Sequence, residues 1–185
     1  QRLERRLIER RDVVLVGDDR KVTVPTAAMF DVAVGHVPPE MRSFFSDSVT
    51  VAYRTDEGRR MVVVEAESGT VEKFATVLFK AHLNGRTVTV EHPAERGGRV
   101  VDSPIRKAKL TVDDGTLAFD GPDVGFSIDL ATVTDFEKET RTLGGEPRPA
   151  LSVRHVPRTT ALLSVVALPS ERVMNLLGRY FRLEY

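Results

Sequence analysis

DVVLVGDDRKVTVPTAAMFDV, residues 12–32, recurs in altered form as TLAFDGPDVGFSIDLATVTDF, residues 116–136. Laid over one another without a gap, the two stretches place Gly17 on Gly121, Asp19 on Asp123, Val24 on Ile128, Ala27 on Ala131 and Asp31 on Asp135. In each copy the stretch leads through two further apolar strand patterns to one amphipathic helical pattern, Val71–Leu83 in the first and Glu171–Leu183 in the second. A repeat of roughly 100 residues is too long for a solenoid unit. It predicts two copies of one small β-rich domain, residues 1–85 and 86–185, with the boundary near Gly85–Arg86. Duplicated domains of this kind present surfaces rather than enclose a catalytic pocket.

Within the first copy, Leu7–Val16 and Lys21–Val34 read as β-rich segments joined by Gly17-Asp18-Asp19, residue types that tolerate a tight hairpin turn. DSVTVAYR (47–54) alternates in period two, with Val49, Val51 and Tyr53 on one face. Thr55-Asp56-Glu57-Gly58 makes a turn into the apolar run RMVVVEA (60–66). Thr70 is the expected N-cap of the first helix, whose apolar stripe is Val71, Phe74, Ala75, Leu78 and His82, with Asn84-Gly85 as its stop. In the second copy, Thr87–Glu91 leads into a loop at 93–98, and Asp113-Asp114-Gly115 signals a hairpin. A loop is expected at Leu143–Pro149, and Ser170 caps the last helix, with Val173, Met174, Leu177, Tyr180 and Phe181 as its apolar face. Phe74, Leu78, Met174 and Leu177 are predicted to be buried. The fold class is mainly β with α (α+β), and strands closed by a C-terminal helix resemble a pleckstrin-homology-like half-barrel, here two in tandem.

The 27 Lys and Arg balance 27 Asp and Glu, so no global field draws nucleic acid or an anionic membrane. There is no Cys, hence no disulfide, thiolate metal site or cysteine nucleophile, which suits a reducing cytoplasm. No run approaches the roughly 18 apolar residues of a membrane span, so no membrane insertion is expected. The chain opens on Gln1 and stops at Tyr185, which reads as a fragment of something longer.

Little in the pattern carries chemistry. His36, His82, His92 and His155 show no zinc-binding spacing; His82 reads as a packing residue, and His92 and His155 as solvated. Gly17, Gly58 and Gly115 sit in hairpin turns rather than phosphate loops. No carboxylate pair is placed in a cleft by the sequence, and no serine lies in a nucleophile elbow. No catalytic residue, metal site or cofactor is assigned, and a non-enzymatic role is expected. The basic residues form scattered pairs among carboxylates, without the aromatics of a nucleic-acid groove.

Two segments exceed the needs of a core. HVPPEMRSFF (36–45) holds Pro38, Pro39, Met41, Arg42, Phe44 and Phe45, and reads either as a lid or as a docking element. LLGRYFRLEY (176–185) holds Arg179, Tyr180, Arg182 and Tyr185, residue types enriched at binding hot spots, and reads either as plain helix packing or as a binding face.

Through VPTAAMFDVAVGHVPPEMRSFFSDSVTVAY (24–53), FATVLFKAHLNGRTVTVEHPAERGGRV (74–100), PALSVRH (149–155) and MNLLGRYFRLEY (174–185), the chain resembles the archaeal chemotaxis protein F (CheF) family. The resemblance implies a cytoplasmic taxis adaptor acting at the cytoplasmic face of the archaellum motor. It implies as partners the phosphorylated response regulator CheY, CheC/CheD-type proteins and archaellum switch proteins; the scattered charges above assign no nucleic acid to this fragment. It also implies a further C-terminal helix-turn-helix-like region beyond the LEY motif. The expected function is therefore a non-catalytic chemotaxis adaptor. The alternatives are a lipid- or ligand-binding module of the pleckstrin-homology/GRAM type, or the sensor part of a transcription regulator.

Overall fold

The computed structural model describes residues 12–16, 21–35, 40, 47–66 and 68–184. The chain divides into two compact units, Gln1–Ala81 and His82–Tyr185. In the first, β1 (Asp12–Val16) and β2 (Lys21–Pro25) form an antiparallel hairpin. A single 3-10 turn at Thr26–Ala28 leads into β3 (Met29–Gly35), which pairs antiparallel with β4 (Asp47–Thr55), and β4 in turn with β5 (Gly58–Ala66). Alternation on β4 buries Val49 and Val51, as a half-covered sheet requires. Gly58, at φ +126, closes the turn into β5 in a conformation that a side chain would strain.

Helix α1 (Ser68–Leu83) starts two residues before the predicted Thr70 cap. Gly69 and Thr70 sit in its first turn, where the N–H groups have no intrahelical partner in any case. Leu78 is buried as predicted, whereas Phe74 is only half-buried. The helix stops at Asn84-Gly85. The Asn84 side chain accepts the Val112 N–H at 2.6 Å, and Gly85, at φ +77, donates its N–H to the Leu110 carbonyl at 2.8 Å.

The second unit repeats this order and adds strands in front of it. β6 (Arg86–Arg96), β7 (Arg99–Val100) and β8 (Ile105–Asp113) precede the hairpin β9 (Thr116–Gly121) and β10 (Val124–Asp129). A 3-10 turn at Leu130–Thr132 leads into β11 (Val133–Leu143), β12 (Glu146–His155) and β13 (Leu162–Ala167), then helix α2 (Glu171–Glu184). The antiparallel sheet runs β10-β9-β8-β6-β13-β12-β11, with β7 beside β6. At the offset that lays Asp12 on Thr116, each 3-10 turn is followed by a strand whose register shifts between its first and third residues. Those shifts fall between Met29 and Asp31 and between Val133 and Asp135, so the two aspartates occupy the same topological place.

Three local expectations are corrected. The loop expected at 93–98 shrinks to a turn at Gly97-Gly98, because β6 runs through Pro93 to Arg96. Leu143–Pro149 is not an open loop either. Gly144 and Gly145, both at positive φ, make a tight turn, and Pro147 and Pro149 lie within β12. Their missing N–H groups are tolerated because they share one edge, which β13 reaches only from Ala150 onward; there the Pro149 carbonyl accepts the Leu168 N–H at 2.8 Å. Finally, among the described residues none of the three sheets closes: the large one ends on β10 and β11, and the two small ones are open. The mainly β α+β class holds, and the likeness to a pleckstrin-homology-like half-barrel rests on element order alone.

Candidate functional site

Helix α2 forms where the sequence puts it. The Ser170 hydroxyl accepts the Val173 N–H at 3.3 Å, and Glu171 lies in the electropositive first turn. The helix packs against β12 and the 3-10 turn at Leu130–Thr132. Phe181 stacks on Phe136 of β11 at 5.0 Å between ring centres, and the Lys138 amine donates to the Asn175 side chain at 2.9 Å. Val173, Leu177 and Phe181 are buried as predicted and Leu176 is buried with them, while Met174 is half-buried.

This packing decides what the helix offers to a partner. Tyr180 is 0% exposed, and its hydroxyl accepts the Gly115 N–H at 3.3 Å. Of the two readings of Tyr180, the structure supports its place on the apolar face and removes it as an accessible residue of a binding face. An aromatic at the fourth residue after Leu176 falls on the same helix face and goes into the core with it. Arg179 is half-buried and Arg182 exposed, so what the C-terminal end of α2 presents is cationic rather than the Tyr180 ring. Tyr185 and the segment with Pro38, Pro39, Met41, Arg42, Phe44 and Phe45 lie outside the described residues, as does His36.

The opposite face of the same strands holds a site that the sequence reading missed. Register aligns Asp135, Arg154, Leu163 and Glu95 in one row across β11, β12, β13 and β6. Glu137 and Ser152 follow in the next row, with Glu139 and Arg141 beyond them on β11. Together they line a recess of about 160 Å³. Glu139 accepts from both the Ser152 hydroxyl and, at 3.0 Å, the Arg141 guanidinium, while Arg154 donates to Glu95 at 3.2 Å. Asp135 and Glu137 stand exposed at its rim. With four carboxylates against two guanidiniums, the recess is net acidic and suits a cationic side chain. The period-two run Asp135-x-Glu137-x-Glu139-x-Arg141 was its visible signal. Among the described residues, no group of three or more His, Cys, Asp or Glu is placed to hold a metal ion.

The histidines form structure rather than a solvated fringe, contrary to expectation for His92 and His155. His155 is 2% exposed, and Ser164, fully buried, bridges His155 Nε2 at 3.0 Å and His92 Nδ1 at 2.7 Å. One hydroxyl proton serves two rings, so one ring accepts it and the other donates its own N–H. His92 also stacks on Phe126, with ring centres 3.8 Å apart. Burial first, then the neighbouring His155 and Arg96, lowers His92 to about 4, and burial lowers His155 as well. His82 is buried as a packing residue, and its Nδ1 accepts from the Arg172 guanidinium at 3.1 Å. Burial, then Arg172 and Arg86, brings His82 to about 4. Ser164 itself is fully buried, so its hydroxyl is not an accessible nucleophile.

The family described as Archaeal Chemotaxis signal transduction system protein F matches residues 4–185. The chain belongs to this family. Two relatives come from Halobacterium salinarum (strain ATCC 29341 / DSM 671 / R1). Taxis protein CheF2 is 44% identical over 179 residues, covering 97% of this chain and 62% of the relative. Taxis protein CheF1 is 25% identical over 166 residues, covering 89% of this chain and 56% of that protein. The chain thus spans about three-fifths of the length of these protein F relatives. Among the described residues, no helix is long and apolar enough to cross a membrane.

Proposed function

We propose that this chain is the non-catalytic adaptor part of a taxis protein, binding the phosphorylated response regulator CheY and CheC/CheD-type proteins and coupling the signal to the archaellum switch. The observation that carries this reading is the family match over nearly the whole chain. The structure is compatible with it: open sheets, a shallow charged recess and a helix end bearing Arg179 and Arg182 are surfaces for docking. The binding site is Arg179 and Arg182 on the final helix together with Tyr185, and the Pro38–Phe45 segment as a second element; Tyr180 supports the helix from within. Selectivity is a population shift. Phosphorylation favours one CheY conformation, and the adaptor binds that conformation better. A tenfold preference needs only about 1.4 kcal/mol of differential contact. Immobilised chain is expected to retain CheY in the presence of a phosphoryl mimic and to release it without one. Equal recovery in both conditions contradicts the reading.

A further inference from the structure

The two copies of the three-stranded meander differ in one respect. In the second unit β13 lies between β12 and β6, and its Leu163 and Val165 are 5% and 0% exposed. Register gives their counterparts in the first unit as Met61 and Val63, because Met61 faces Ala52 and Ala52 faces Asp31, just as Leu163 faces Arg154 and Arg154 faces Asp135. Met61 and Val63 are 74% and 55% exposed, and among the described residues no strand pairs with the outer edge of β5. The same place in the same meander is flanked by a strand in one unit and, among the described residues, unpaired in the other. An exposed apolar edge is a template for another strand, and proteins that must stay apart blunt such edges with charge or proline. The centre of β5, Met61–Val64, has neither.

The row on that face selects its occupant. Arg59, Met61, Val63 and Glu65 alternate along β5 on one side and are all exposed. Antiparallel pairing of this row with itself about Val62 sets Met61 against Val63 of the second copy and Arg59 against Glu65 of the second copy. A two-fold axis perpendicular to the sheet keeps the same face up in both strands, which requires facing residues separated by an even number of positions; this register meets that condition. Cation meets anion twice, once at each end, with apolar pairs between them. We propose that β5 is a self-association edge, through which two copies of this chain join their three-stranded sheets into one, antiparallel and centred on Val62.

The test is sedimentation equilibrium over a concentration series, on the 185-residue chain and on the full-length protein. Both are expected to dimerise. Arg59→Glu and Glu65→Arg each place like charges together at both ends and are expected to weaken the dimer about tenfold, while the double swap restores it. Val63→Lys, a charge on the edge itself, is expected to leave a folded monomer by circular dichroism. A wild-type chain that is monomeric throughout overturns the proposal. So does a dimer that ignores the single swaps or is not rescued by the double swap. A full-length monomer whose β5 amides resist hydrogen exchange overturns it too, since a segment of its own chain then fills the edge.

Discussion

Ser164 shows how far one buried hydroxyl determines the state of its neighbours. Held between His92 and His155, it keeps both bonds only while at least one of the two rings presents it an unprotonated nitrogen. The same logic applies at His82, whose Nδ1 accepts from Arg172 and loses that role on protonation. These groups have folded pKa values below their unfolded value near 6.5, with His82 and His92 at about 4. The unfolded chain therefore binds more protons below pH 6.5, and stability rises with pH across that window. Denaturant midpoints are expected to hold above about pH 6.5 and to fall steadily towards about pH 4, with a ceiling of roughly 3 kcal/mol for each of His82 and His92. His82→Gln should flatten part of that slope, and a wild-type midpoint independent of pH between those limits contradicts the network. Gly121 makes a different demand. A Cβ there would run into the Lys107 carbonyl across the β8–β9 pair, so Gly121→Ala must push backbone rather than a side chain. We expect it to destabilise the second unit by roughly 1–3 kcal/mol, read from urea unfolding; an unchanged midpoint would show that the strands separate freely there.

Helix α2 is where sequence reading both succeeded and failed. Its cap at Ser170 and its apolar face through Val173 and Leu177 follow from residue types at helical spacing, and the structure has them. Tyr180 reads both ways because its amphipathic chemistry suits a binding face as well as a core position with one polar partner; only the Gly115 N–H, brought close by tertiary folding, decides for the core. The charged recess was missed for a related reason. Alternation shows that Asp135, Glu137 and Glu139 share a face, but Arg154 and Glu95 join them only through the pairing of β11, β12, β13 and β6. Leu177→Ala should cost roughly 2–5 kcal/mol in thermal or chemical unfolding, and a silent substitution removes the packing account of this helix. Arg179→Glu with Arg182→Glu changes the accessible side of α2 while leaving its buried face alone. The pair should keep the melting temperature within a few degrees and weaken binding of phosphorylated CheY at least about tenfold. A folded double variant with full affinity moves the docking site to the Pro38–Phe45 segment.

Across the whole chain, duplication is the feature the sequence displayed best. The gapless match of residues 12–32 to 116–136 is reproduced as a hairpin, a 3-10 turn, a bulged strand and a meander in both copies, with Asp31 and Asp135 at the same step. What the match could not show is that β6 and β8 tie hairpin and meander into one sheet in the second unit, because those strands precede the repeated stretch. Within each unit the sheets have open edges, which suits the adaptor role proposed above. The most direct test of that role is isothermal titration calorimetry of the chain with CheY, unphosphorylated and carrying a phosphoryl mimic. The account predicts binding at least about tenfold tighter for the mimic-bound form. Equal affinity for the two forms, or no binding of either, contradicts it.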